Sequence, residues 1–205
     1  MASTLVVFDI GGVLVRIRHT WDDALNALGE APLARPNPWR AAEYDPLTGY
    51  QQGEMDEDAY LLRLGDDLGI SPERAREAHA TMLEGDYVGA RALVEELNAA
   101  GVHTACLSNT NALHWVTLTN PDRHPAIAAL ERRIASFEIK FSKPRPEAFM
   151  AVTNRYPDVE CKFFFDDSID NVIAARNMGW EAHRVDPDGD PPALMRRILV
   201  EAGVL

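Results

Sequence analysis

Val6-Val7-Phe8-Asp9-Ile10-Gly11-Gly12-Val13-Leu14 is an apolar run that stops at one carboxylate and passes at once into two glycines. Unbroken apolar character from Leu5 to Phe8, rich in β-branched and aromatic residues, describes a strand buried on both faces. A lone Asp at the mouth of such a strand is costly unless its charge is used. Glycines directly after it let other groups approach the backbone closely. Position 11 also offers no side chain that could carry a proton. From these residues alone Asp9 reads as a nucleophile, a metal ligand, both, or a turn cap.

Outward from this stretch, a length of 205 residues with 46% hydrophobic residues allows one large domain, or a core domain with a smaller insert. The net charge of -12 argues against nucleic acid and anionic membrane as partners, but not against phosphorylated small molecules held by local cations and a metal ion. Met1 to Thr4 carries no basic region, and Asp9 breaks the apolar run after it, so no secretory signal is expected. No stretch reaches the about 18 apolar residues of a membrane span. Cys106 and Cys161 both lie in apolar strand-like runs and read as reduced core cysteines, which suits the cytoplasm.

The texture changes twice. From Arg16 to Asp86 apolar residues recur at helical spacing (Trp21, Ala24, Leu25, Leu28, then Tyr60, Leu61, Leu64, Leu68). Ser71-Pro72-Glu73-Arg74 is a helix start, and Pro32 to Gly53 reads as loop or short helix. No strand is expected here, so residues 16–86 read as an all-helical insert. From Gly89 strands and helices alternate: strands at Val102–Leu107, Ile134–Ile139, Lys162–Phe165 and Ala182–Val185, with helices at Ala90–Ala100, Pro146–Tyr156, Asn171–Met178 and Ala193–Ala202. This alternation predicts an α/β fold, a doubly wound parallel sheet built from residues 1–15 and 87–205.

Ligands of open parallel sheets bind beyond the carboxyl ends of the strands. The polar residues expected there are Asp9 and Gly11; Ser108 and Asn109; Lys143; and Asp166, Asp167, Asp170 and Asn171. Each has a plain structural explanation as a cap or a solvated charge. The adjacent carboxylates Asp166 and Asp167, after three phenylalanines, repel unless a cation or solvent relieves them. Together the residues make one coherent site. Three carboxylates suit a hard divalent cation, while Ser108, Asn109 and Lys143 suit phosphoryl oxygens. Asp9 is then the in-line nucleophile.

At these residues the chain resembles the haloacid dehalogenase-like hydrolases. Phe8-Asp9-Ile10-Gly11-Gly12-Val13-Leu14 is similar to their first motif, and Leu107-Ser108-Asn109 to the second. Lys143-Pro144-Arg145-Pro146-Glu147-Ala148-Phe149 is similar to the third, and Phe165-Asp166-Asp167-Ser168 with Ala174-Ala175-Arg176-Asn177-Met178-Gly179 to the fourth. The resemblance spans essentially the whole chain. It implies a Rossmann-like core with a small helical cap, and an aspartyl-phosphate on Asp9. It also implies phosphate binding by Ser108, Asn109, Lys143 and Gly12. Mg²⁺ would be held by Asp9, the Gly11 carbonyl, Asp167 and Asp166. Ser108-Asn109-Thr110-Asn111-Ala112-Leu113-His114 and Phe164-Phe165-Asp166-Asp167-Ser168-Ile169-Asp170-Asn171 resemble the branch of bacterial α-glucose-1-phosphate phosphatases.

Two departures stand out. Gly11 replaces the second Asp that most phosphatases of this family carry as general acid and base. Asn171 replaces the later Asp of the fourth motif. The expectation is a Mg²⁺-dependent phosphatase acting on a small phosphorylated metabolite, a sugar phosphate, as a cytoplasmic monomer or homodimer. The alternatives are a catalytically silent member that binds a phosphorylated ligand or a protein, and a metal-free 2-haloacid dehalogenase. Arg16, Arg18, His19, Trp39, Tyr44, Asp45 and Tyr50 are candidates to face the site from the cap. Tyr44, Asp45 and Tyr50 are preferred for substrate contact, and His19 is the titrating group that could replace the missing acid.

Overall fold

A computed structural model describes residues 3–29 and 44–205. Trp39 and most of the loop-rich stretch expected between Pro32 and Gly53 lie outside those residues. The chain opens with β1 (Thr4–Phe8) and β2 (Val15–Ile17). Four helices follow: α1 (Trp21–Ala27), α2 (Asp45–Gln51), α3 (Glu57–Leu68) and α4 (Pro72–Thr81). Next come β3 (Leu83–Asp86), α5 (Ala90–Ala99), β4 (His103–Ser108), α6 (Ala112–Leu118), α7 (Pro125–Ala128), β5 (Arg132–Ala135) and α8 (Ser136–Ile139). The chain continues with α9 (Pro146–Thr153), β6 (Cys161–Asp166), α10 (Ile169–Asn177), β7 (Glu181–Arg184) and α11 (Pro191–Glu201).

The main sheet is parallel, in the order β5-β4-β1-β6-β7. β1 is central because it is apolar on both faces. Val6 and Phe8 enter one core with Val94, Leu97 and Leu199, whereas Leu5 and Val7 enter the other with Phe149 and Val172. The phenylalanines of β6 divide in the same way: Phe163 and Phe165 on one face, Phe164 on the other. Helices therefore cover both faces, as the alternating pattern predicts. The chain leaves β1 toward β4 on one side and returns to β6 on the other, so the carboxyl ends of all three converge on one crevice.

The inserted segment has its own core, in which Trp21, Ala24, Leu25, Tyr60, Leu61, Leu64 and Leu68 meet as their spacing predicts. Ser71 caps α4 through the Arg74 amide, with Pro72 opening the helix. Two expectations need correction. The insert is not wholly helical: β2 and β3 pair antiparallel at its two ends. β2 is three residues long, and Leu83-Glu84-Gly85-Asp86 lacks an apolar face, so neither carries an alternation signal. The strand expected over Ile134–Ile139 ends at Ala135, and α8 begins there. Cys106 and Cys161 are free thiols, the first buried and the second half-buried.

Candidate active site

Asp9 follows β1 and points into a cavity of about 970 Å³ between the sheet's carboxyl edge and the insert. Lys143 is buried and bridges two carboxylates, with Nζ 2.8 Å from Asp9 Oδ1 and 2.7 Å from Asp166 Oδ2. Burial alone would lower the lysine, but Asp166 and Asp9 together lift it to about 12, so it stays charged. Burial pushes Asp9 the other way, up to about 7; Lys143 opposes this, and Asp166 and Asp167 add to it. Asp167 is raised too, by burial and then by Asp166. A site in which carboxylates resist ionisation despite a lysine is short of positive charge.

The residues fit a cation. Asp9, Asp166 and Asp167 each place one oxygen within 4.8 Å of the others. Their roles differ, however. Asp166 is fully buried, and its oxygens accept from Lys143 Nζ, the Ser168 amide and Asn171 Nδ2. Asp9 and Asp167 line the cavity, and Asp166 does not. The donor set open to an ion is therefore hard carboxylate oxygen, which suits Mg²⁺. Asn171 supports Asp166 from behind, and Asp170 stands exposed at the cavity rim.

The glycines have separate reasons. Gly12 sits at φ +73°, and a Cβ there would come within 2.9 Å of Asp167 Oδ2. It thus permits both the turn after Asp9 and the approach of Asp167. At Gly11 a Cβ would meet Ile17 Cδ1 at 3.0 Å.

Ser108, at the end of β4, lines the cavity with a hydroxyl that takes no hydrogen bond from the described residues. Asn109 has a structural task as well. Its Nδ2 donates to the Lys143 carbonyl at 2.9 Å and its Oδ1 accepts the Lys143 amide at 2.8 Å. The side chain clamps the lysine's backbone while Asn109 itself lines the cavity. The Lys143–Pro144 peptide beside it is cis.

Among the cap candidates, His19 and Arg18 line the cavity. Tyr44 and Tyr50 do not: both are buried in the insert's core. The Tyr44 hydroxyl donates to Asp67 and the Tyr50 hydroxyl to Glu57. Their aromatic bulk is used for packing, the common outcome for large rings at helical spacing. Asp45 is exposed at the start of α2 and stands outside the cavity lining, as does Arg16, which pairs with Glu84. The α2 residues that do line the cavity are Leu47, Thr48 and Gln51, joined by Gln52 at the helix end.

Sequence reasoning also missed the histidines. His79 of α4 and His114 of α6 stack at 4.0 Å where insert and core meet. His114 Nε2 donates to the His79 carbonyl at 2.8 Å, His79 Nε2 to Asn111 Oδ1 at 3.3 Å, and Tyr60 to His79 Nδ1 at 2.9 Å. A sequence separation of 35 hides this pair from any local pattern.

Among curated proteins no significant sequence match is found. Solved structures share the fold at low identity. A HAD-like hydrolase from Porphyromonas gingivalis is similar at 19% identity and TM-score 0.76, covering 97% of this chain and 98% of its own. A HAD family enzyme from Bacteroides thetaiotaomicron, in complex with magnesium and inorganic phosphate, is similar at 20% identity and TM-score 0.72, covering 94% and 98%. The L-2-haloacid dehalogenase of Xanthobacter autotrophicus, with chloropropionic acid covalently bound, is similar at 20% identity and TM-score 0.58, covering 99% and 84%. The haloacid dehalogenase-like hydrolase model matches residues 4–179, and with these motifs on these strand ends the chain belongs to the haloacid dehalogenase-like hydrolases.

Proposed function

We propose that this hydrolase is a Mg²⁺-dependent phosphatase that cleaves a small phosphorylated metabolite, a sugar phosphate, through an aspartyl-phosphate on Asp9. The observation that carries this reading is Lys143 held between Asp9 and Asp166, with Ser108 and Asp167 open to the same cavity. Asp9 supplies the attacking oxygen. Lys143 orients it and offsets charge on the transferring group, and Ser108 donates to a phosphoryl oxygen. Asp9, Asp167 and the Gly11 carbonyl would hold Mg²⁺, with Asp166 acting behind them. When bound, the ion supplies the positive charge that phosphoryl oxygens require. The magnesium and inorganic phosphate in the structurally similar Bacteroides enzyme support the ligand class. The motif resemblance to the α-glucose-1-phosphate phosphatase branch, and the neutral polar side chains of Thr48, Gln51 and Gln52 on the cavity wall, support a sugar. Residues 16–86 act as the cap over this site, in a cytoplasmic monomer or homodimer.

A structurally similar dehalogenase exists, but Asp167 opens into the same cavity as Asp9 and would repel a haloacid carboxylate. Phosphate release from glucose 1-phosphate and p-nitrophenyl phosphate with Mg²⁺ is expected for wild type and is reduced to background in Asp9→Asn. Equal rates from the two proteins would overturn the reading. Chloride release from 2-chloropropionate without metal would favour the dehalogenase instead.

A further inference from the structure

The C-terminal end of α2 is bonded to the core at three points, from α6 and from both ends of α8. The Tyr50 hydroxyl accepts the Leu113 amide at 3.3 Å. The Gln51 carbonyl accepts from Ser136 Oγ at 2.6 Å, and the Gly53 carbonyl from Lys140 Nζ at 3.3 Å. Ser136 is buried, and its hydroxyl also accepts the Thr110 amide at 3.0 Å. One hydroxyl thus ties the loop that begins at Ser108 to a helix of the insert. Lys140 ends α8 in a left-handed conformation, φ +63°, which L residues other than Asn and Asp rarely adopt. Gly53 meets it at φ +65°, and a Cβ there would lie 2.8 Å from the Phe137 carbonyl oxygen. That close approach requires glycine.

On this anchor α2 presents Thr48 and Gln51 to the cavity, with Gln52 at the helix end. Their side-chain polar atoms make no hydrogen bond among the described residues. Two carboxamides and a hydroxyl offer both donors and acceptors, and this wall carries no charge. Of the cavity's arginines, Arg18 pairs with Glu84 and Arg145 with Glu147. His19 and Arg184 act instead on Asp167, the first through its charge and the second by donating Nε to the Asp167 carbonyl.

We infer that the last turn of α2 is the specificity wall of this enzyme, where Thr48, Gln51 and Gln52 recognise hydroxyls of an uncharged leaving group. Ser136 and Lys140 are the positioning residues that hold this wall at a fixed distance from Ser108. The inference rests on the phosphatase reading and deepens it. A wall held from the core is formed before substrate arrives, so its hydrogen bonds are made at little ordering cost.

Steady-state kinetics with Mg²⁺ test this on hydroxylated phosphates (glucose 1-phosphate, glucose 6-phosphate, ribose 5-phosphate and glycerol 3-phosphate), on cyclohexyl phosphate and on phosphoglycolate. The kcat/KM of wild type for the best hydroxylated phosphate should exceed that for the other two compounds by at least about tenfold. Gln51→Leu and Thr48→Val should each lower the ratio of that phosphate to cyclohexyl phosphate by roughly 3–10-fold. Ser136→Ala and Lys140→Gly should lower the same ratio through KM rather than kcat. Glycine at 140 keeps the left-handed backbone, so that variant removes the bond and spares the fold. Lys140→Arg retains a donor and should keep the wild-type ratio. An unchanged ratio in Gln51→Leu and Thr48→Val overturns the inference. An unchanged ratio in Ser136→Ala and Lys140→Gly overturns the positioning role. Wild type without preference for a hydroxylated phosphate also overturns the inference, as does a preference for phosphoglycolate, which would set the leaving group against Arg184. In each of these cases the Asp9 phosphatase stands. No turnover of any phosphate overturns both.

Discussion

Gly12 shows how one missing methyl group organises the site. Its positive φ and the 2.9 Å approach of Asp167 leave no space for a Cβ. Gly12→Ala should therefore lower stability by about 1–2 kcal/mol, from the left-handed backbone alone. It should also push Asp167 away from Asp9. Chemical denaturation and Mg²⁺ titration of the variant check both effects, and an unchanged Mg²⁺ affinity would refute the second. Gly11 is different in kind, because its neighbour is the movable end of Ile17. Asn109 belongs at this scale too. In sequence it resembles a phosphate ligand beside Ser108, yet both of its polar atoms hold the Lys143 backbone.

Between elements, α4 and α6 meet through His79 and His114. Burial lowers both: His79 well below the ordinary histidine range, with His114 as the next cause, and His114 to about 4. The folded state therefore holds these rings neutral at pH values where the unfolded chain protonates them. Stability from this pair is fully present above the unfolded value of about 6.5. It is lost as the pH falls from there through the folded values, because the unfolded state binds more protons over that range. The thermal midpoint should drop between pH 7 and pH 4, and His114→Gln should flatten that drop. A variant with the wild-type pH dependence would show that the acid loss arises elsewhere. Other bonds cross the same junction: Ser136 Oγ donates to the Gln51 carbonyl, and the Leu113 amide to the Tyr50 hydroxyl. Tyr50 thus helps dock the insert onto the core.

For the whole molecule, the decisive term is the charge gathered at one sheet edge. Asp9 and Asp167 are both raised by burial, with other carboxylates adding to it, so the folded protein carries unrelieved repulsion in its crevice. A divalent cation that binds only the folded state relieves it and stabilises by mass action, about 2.7 kcal/mol at one hundred times Kd. Mg²⁺ should raise the thermal midpoint of wild type and leave that of Asp167→Asn nearly unchanged. Equal shifts in the two proteins would place the ion elsewhere. The negative charge of the whole chain would be no obstacle to the proposed phosphate, because Lys143 and a bound cation would act at contact distance while the rest is screened.

The sequence by itself determined the parallel sheet and the convergence of Asp9, Ser108, Lys143, Asp166 and Asp167. Both follow from local order: apolar runs make the strands, and each run ends in the polar residue that its strand must deliver to the carboxyl edge. Cap residues such as Trp21, Tyr60 and Leu64 were legible through their 3.6-residue period. Only the tertiary structure decided which polar atoms were already taken. Asn109 clamps Lys143, Asp166 backs it, and Tyr44 and Tyr50 pack into the insert. It alone brought Ile17 over Gly11 and His79 against His114. These outcomes depend on contacts between segments distant in the chain, and a hydrogen-bonding group looks the same in sequence whether its partner is a ligand or the protein itself.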